Sequence, residues 1–192
     1  PIMGSTNQKI RTLSTDERDS KAKSQNKQQI QRKTQQGELT SAALDFLKRN
    51  VGISEEEFQK ANDTKIVKSC LILKKKEYDQ TFKGNFKFVF APLIQSMCRA
   101  MFSQNLQLLD VFAPNVLKMD YGVFFYCSKL RHIDFPLLES VSTHTFTMCV
   151  SLTKVDLPSL VVAKQSSFFM CESLEEVVAL SLRRISVGCF SD

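Results

Sequence analysis

The chain has 192 residues, 43% of them hydrophobic, and a formal charge of +6, which leaves room for one or two domains. No apolar run reaches the roughly 18 residues that a membrane-spanning helix needs, and with two histidines and no C-x-x-C the spacing of a metal centre is missing. The charge is uneven: residues 1–82 hold 16 Lys or Arg against 11 Asp or Glu, and residues 83–192 hold 10 against 9.

Residues 1–37 carry few large apolar groups and include the tract Ser24-Gln-Asn-Lys-Gln-Gln-Ile-Gln-Arg-Lys-Thr-Gln-Gln36. Such a segment buries too little to repay the entropy of ordering, so it is expected to be a disordered basic, Gln-rich leader. The opening Pro1-Ile2-Met3-Gly4-Ser5 lacks the apolar core of a secretory signal. A basic arm suits nucleic acid or an anionic surface. This one also holds Asp16, Glu17 and Asp19 and has no aromatic residue for stacking, so nucleic acid is disfavoured as a partner.

From residue 38 to 82 the texture is that of a cap. Leu39, Ala42, Ala43, Phe46 and Leu47 recur at helical spacing, and Asn50 with Gly52 predicts a helix end near residue 50. Ser54 before Glu55, Glu56 and Glu57 predicts a second, N-capped helix with Phe58 and Ala61 facing inward. Ile66-Val67-Lys-Ser-Cys70-Leu-Ile-Leu73 reads as a strand, and Lys74-Lys75-Lys76 as the start of a turn.

Residues 83–192 repeat at an interval of 22. Prolines stand at Pro92, Pro114, Pro136 and Pro158, and phenylalanines at Phe102, Phe124, Phe146, Phe168 and Phe190. In phase with them run Phe86, Leu108, Leu130, Leu152 and Leu174, then Val89, Val111, Ile133, Val155 and Val177. Further apolar columns pass through Ala91, Ile94 and Met97 and their equivalents. A period in this range marks a solenoid whose units bury their apolar stripe only by stacking. The alternation around each Val suits a short inward-facing strand, and proline, which has no N–H to give, marks its end. The expected fold is therefore a repeat solenoid, mainly β with irregular turns, about five coils long, in which the Phe column forms a core ladder. The two helices would cover the exposed edge of the first coil, and Ile66–Leu73 would be a worn sixth coil.

The stretches Cys127-Ser-Lys-Leu130-Arg-His-Ile133-Asp-Phe135-Pro136, Cys149-Val-Ser-Leu152-Thr-Lys-Val155-Asp-Leu157-Pro158 and Cys171-Glu-Ser-Leu174-Glu-Glu-Val177 resemble the BspA-like (Treponema-type) leucine-rich repeats. The likeness is specific over residues 127–192 and fair over 83–126. Two departures stand out: Ser142 and Lys164 fill a position where the family often has Gly, and Leu180 replaces the proline of the last copy. The resemblance implies an interaction protein without catalysis, and its members include bacterial surface adhesins and proteins of anaerobic protozoan parasites.

Cys127, Cys149 and Cys171 share one repeat column, which predicts packed core thiols and not disulfides. That reading fits a reduced, cytoplasmic compartment. A cell-surface or secreted location is the alternative if a leader has been removed.

Between the inward columns, two rows point outward: Phe88, Asp110, His132, Lys154 and Glu176, then Phe90, Phe112, Asp134, Asp156 and Val178. Clustered aromatics at Phe88, Phe90 and Phe112 would favour a protein contact, unless the cap covers them. With Asp110, His132, Asp134, Lys154 and Asp156 they form the candidate binding surface. No nucleophile or metal constellation joins His132, Asp134 and Asp156, so neither catalysis nor a cofactor is expected. The expected function is protein–protein interaction, with a cell-surface adhesin and a nucleic-acid-associated protein as alternatives. The last coil, with no capping segment behind it, is expected to self-associate or to continue into a longer array.

Overall fold

In the computed structural model, residues 9–11 and 39–191 are described. The tract Ser24–Gln36 and most of the leader lie outside the described residues. The first element, β1 (Lys9–Arg11), joins the far end of the molecule.

The cap follows its sequence signals closely. Helix α1 (Ser41–Phe46) starts on Thr40, whose hydroxyl accepts from the Ala43 amide at 3.2 Å. It widens into a π turn, Leu47–Val51, that Gly52 closes at φ 66°, a left-handed conformation that costs glycine little. Helix α2 (Glu55–Lys60) carries a full capping box: Glu57 N donates to Ser54 Oγ at 3.2 Å, and Ser54 N donates back to Glu57 Oε2 at 2.7 Å.

A hairpin follows, β2 (Ile66–Val67) antiparallel to β3 (Cys70–Ile72). Its two-residue loop, Lys68-Ser69, has φ of 45° and 66°, the pattern of a type I′ turn built here without glycine or asparagine. Lys68 Nζ donates to the Gly52 carbonyl at 2.6 Å and also pairs with Glu57, which fastens the loop to the cap.

Then come β4 (Glu77–Tyr78), β5 (Phe88–Phe90), β6 (Ser96–Met97), β7 (Asp110–Phe112), β8 (Lys118–Met119) and β9 (His132–Asp134). The series ends with β10 (Ser140–Val141), β11 (Lys154–Asp156), β12 (Val162–Ala163), β13 (Glu176–Val178) and β14 (Arg184–Ile185). They stack in two parallel rows. The main row runs β3, β5, β7, then β9, β11, β13, and the second row runs β4, β6, β8, then β10, β12, β14. In the four coils that have it, at Pro92, Pro114, Pro136 and Pro158, the proline stands two residues after the last residue of the main strand, where no ladder donor is needed.

The register pairs equivalent positions, as with Val155 opposite Ile133 and Val177. The central residue of each main-row strand from β3 to β13 is buried, and the predicted Phe column stacks: Phe102–Phe124, Phe124–Phe146, Phe146–Phe168 and Phe168–Phe190 have centroids 5.4, 5.4, 5.2 and 5.0 Å apart. Cys127, Cys149 and Cys171 are buried, and each thiol donates to a carbonyl 25 residues earlier, those of Phe102, Phe124 and Phe146, at 3.1–3.2 Å. None of the six cysteines forms a disulfide. Burial pushes the Cys127 thiol up to about 12 and raises Cys149 well above its usual value.

A coil precedes the five, as Ile66–Leu73 suggested, but it is shorter. Leu71 pairs with Val89, Tyr78 with Met97, and Phe82 stacks on Phe102 at 5.9 Å. These steps are shorter than 22, so the coil falls out of phase in the sequence while continuing the Phe ladder in space.

The helices do not cover the edge of the first coil as expected. They lie on the outward face of β3, β5 and β7, and β2 occupies the edge beside β3. Cys70, Ile72 and Phe90 turn toward the helices, while Leu71, Leu73, Val89 and Ala91 turn into the solenoid core. The first strands are thus apolar on both faces, and an apolar outward face demands a cover.

Both strand rows are interrupted at one step. β7 and β9 belong to separate sheets, as do β8 and β10. Ala91 N donates to Phe112 O, Phe135 N to Asp156 O and Leu157 N to Val178 O. The equivalent bond from Ala113 to Asp134 is not made among the described residues. At this step the core column changes from Ala113 to Phe135, whose buried ring lies 6.1 Å from Phe124.

Finally, β1 pairs in parallel with β13, Lys9 opposite Glu176, Ile10 opposite Val177 and Arg11 opposite Val178. The leader was expected to be disordered throughout. At residues 9–11 it is instead a strand, with the polar–aliphatic–polar alternation that β9 and β11 also have.

Candidate functional site

The candidate surface divides into two parts. Phe90 is fully buried, and Phe88 and Phe112 are half-buried, because Phe46 of α1 lies against all three, with centroid distances of 5.9 Å to Phe90, 6.3 Å to Phe88 and 5.4 Å to Phe112. Phe58 of α2 meets the Phe90 ring edge-on at 5.0 Å. Of the two readings of these aromatics, cover by the cap is the one the structure has, and they leave the binding surface as the core of the cap–solenoid joint.

The polar residues remain accessible. A groove of about 420 Å³ opens between the cap and the interrupted step, lined on the solenoid side by Asp110, His132 and Asp134 and on the cap side by Asp45, Arg49 and Asn50. It lies where the ladder between β7 and β9 is missing, so the wide step and the helix flank together form its walls. Lys154 and Asp156 continue the same face one coil further on, and Lys154 reaches Glu176 of the next strand at 3.8 Å.

The electrostatics of the groove follow from crowding. Asp110 is half-buried; loss of water raises its pKa, against which the Val111 amide, donating to Asp110 Oδ1 at 2.7 Å, and His132 act. Asp134 reaches solvent, yet the packed face around it desolvates its carboxyl, and Asp156 adds repulsion, so its pKa is raised too. On the opposite wall Arg49 pairs with Asp45 at 3.3 Å, which spends its charge locally. The groove therefore holds more negative charge than it neutralises.

The cap side of the groove was not anticipated from the sequence. The signal was there in the exposed i, i+4 pair Asp45–Arg49, on the helix face away from Ala43 and Leu47, but only the folded cap brings it opposite Asp110. Another surface that the repeat columns did not suggest is an aromatic patch in the turns after the second row: Tyr121 meets His144 at 5.5 Å and carries Arg99 over its face at 4.4 Å.

Among the described residues no group of His, Cys, Asp and Glu is arranged to hold a metal ion, and no helix is long and apolar enough to cross a membrane. Comparison with curated proteins and with solved structures gives no match. A family model does match: the BspA type leucine rich repeat region, in six copies over residues 95–192. That span is just over half of the chain and takes in the Phe ladder from Phe102 onward, the buried cysteine column and the proline turns from Pro114 onward. By its repeats and by the coils they build, the chain belongs to the BspA-type leucine-rich-repeat family.

Proposed function

We infer that this chain is a non-enzymatic protein–protein interaction module whose groove between the cap and the β7–β9 step receives a Lys- or Arg-bearing segment of a partner protein. The observation that carries the reading is the pair Asp110 and Asp134, two carboxyls with raised pKa on one wall of an open groove. A cation brought between them would relieve both the lost hydration and the mutual repulsion. The family's repeats support an interaction role in general, and the solenoid supplies an extended face for it. An acidic groove repels phosphate, which argues against nucleic acid at this face.

The test uses synthetic ten-residue peptides of basic, neutral and acidic composition, titrated into the full chain with the backbone resonances of residues 108–134 as the readout. Basic peptides should shift Asp110, His132 and Asp134, and the double variant Asp110→Asn/Asp134→Asn should weaken them at least tenfold. Equal binding of the neutral or acidic peptides, or binding untouched by the double variant, would overturn the reading.

A further inference from the structure

We propose that the outer edge of β13 is a strand-addition site and that Lys9–Arg11 fills it in cis, as a mimic of a further coil. An open strand edge presents unpaired backbone donors and acceptors in a row, and any extended segment of suitable pattern satisfies them. The segment found there is the chain's own, and its register is the one that the coils use among themselves: Ile10 takes the position that Val177, Val155 and Ile133 hold in successive strands. The sequence Lys-Ile-Arg alternates as His-Ile-Asp and Lys-Val-Asp do.

Three points favour the chain's own segment as the occupant. The strand is parallel to β13, as a succeeding coil's strand would be, although its chain position is at the opposite end of the sequence. The 27 residues between Arg11 and Leu39 extend to about 90 Å, far beyond the roughly 25 Å that separates the two ends of a stack of this many strands. A three-residue strand also buries too little to bind tightly from solution, whereas tethering supplies an effective concentration on the order of millimolar.

Among the described residues the second row has no such filling. β14 is its last strand, and Ile185 and Val187 are 50% and 91% exposed. Among the described residues, β1 thus closes the edge of β13, while no strand lies beyond β14. This surface is separate from the acidic groove, and its test does not depend on what the groove binds.

Hydrogen exchange on the full chain reads the proposal directly. The amides of residues 9–11 that face β13 should exchange at least tenfold more slowly than in a synthetic peptide of residues 5–15, and Ile10→Asp should abolish that protection while β9 and β11 keep theirs. The freed edge of the Ile10→Asp chain, given the residue 5–15 peptide at millimolar concentration in place of the tether, should then take it up and not a scrambled peptide of the same composition. Light scattering should give a monomer for the unaltered chain. Peptide-like exchange at residues 9–11, failure of the peptide to bind the variant, or a dimer that Ile10→Asp dissolves would each overturn occupancy in cis.

Discussion

Phe46 lies 5.9 Å from Phe90, ring over ring across the joint between helix and solenoid, with an interplanar angle of 29°. One side chain of α1 thereby covers the outward aromatics of two successive coils, Phe88 and Phe90 in β5 and Phe112 in β7. Phe46→Ala should cost about 3 kcal/mol, the lower end for a buried phenylalanine because the ring keeps some exposure. It should also make Phe88 and Phe112 accessible, read as new binding of a hydrophobic dye by the still-folded repeats. A loss below about 0.5 kcal/mol would show that the cap is held by something else.

The Phe ladder should behave as one unit. Phe146, stacked at 5.4 Å on Phe124 and at 5.2 Å on Phe168, sits between two rungs, so Phe146→Ala should cost about 4 kcal/mol and Phe146→Leu distinctly less. Chemical denaturation of the two variants measures the difference. In a double-variant cycle Phe124 and Phe146 should couple, whereas Phe102 and Phe168, which do not touch, should add independently.

Much of this was legible from period alone. The Leu, Val and Phe columns named the core because a stacked coil forces equivalent residues into one environment, and a buried strand centre tolerates little else. The N-cap at Ser54 and the stop at Gly52 were legible because caps are local chemistry. What escaped was what tertiary packing decides. Phe82 belongs to the ladder but sits 20 residues before Phe102, so a strict period misses it. Lys68-Ser69 turns a hairpin without the usual glycine, and nothing in Lys9-Ile10-Arg11 announces a strand until an edge is there to receive it. The acidic part of the site was read from row positions. Its second wall, Asp45 and Arg49, could be identified only once the cap had been found on the face instead of the edge.

The strained hairpin gives a stabilising prediction. Ser69 holds φ 66° without a polar contact that requires a side chain of its own, and a left-handed residue other than glycine costs about 1 kcal/mol. Ser69→Gly should recover roughly that much, read as an upward shift of the denaturation midpoint. Lys68→Gly should gain less, since it gives up the bond to the Gly52 carbonyl.

The carboxylates predict opposite responses to acid. Asp63 accepts from the Tyr78 hydroxyl and from Lys74 N; burial opposes its ionisation, but these bonds and Lys75 outweigh it and its pKa is lowered. Its contribution is present above the ordinary aspartate value of about 3.9 and is lost as pH falls through the lower folded value. Asp110 and Asp134 are raised, so they bind protons more tightly when folded, and stability declines as pH rises through the window that opens above about 3.9. Asp134→Asn should therefore raise the melting temperature at neutral pH and flatten the curve in that window. Asp63→Asn should lower it at neutral pH and not in strong acid. Thermal melts from pH 3 to pH 8 distinguish the two.

The interrupted step between β7 and β9 has a mechanical meaning. Among the described residues neither strand row is laddered across it, and the backbone ties that cross it include those of the turns, such as Phe124 N to Thr145 O and Tyr126 N to Thr147 O, with Arg131 N to Leu109 O. Shear resistance in a stacked solenoid comes from bonds loaded together, and here fewer share the load. Pulled by its helical cap and its last coil, the solenoid should part at this seam first, with the cap and the coils up to about residue 129 on one side and the coils from residue 130 on the other. Since the acidic groove spans the same seam, a segment bound in it would act as a rivet, and the force needed to part the halves would report its presence.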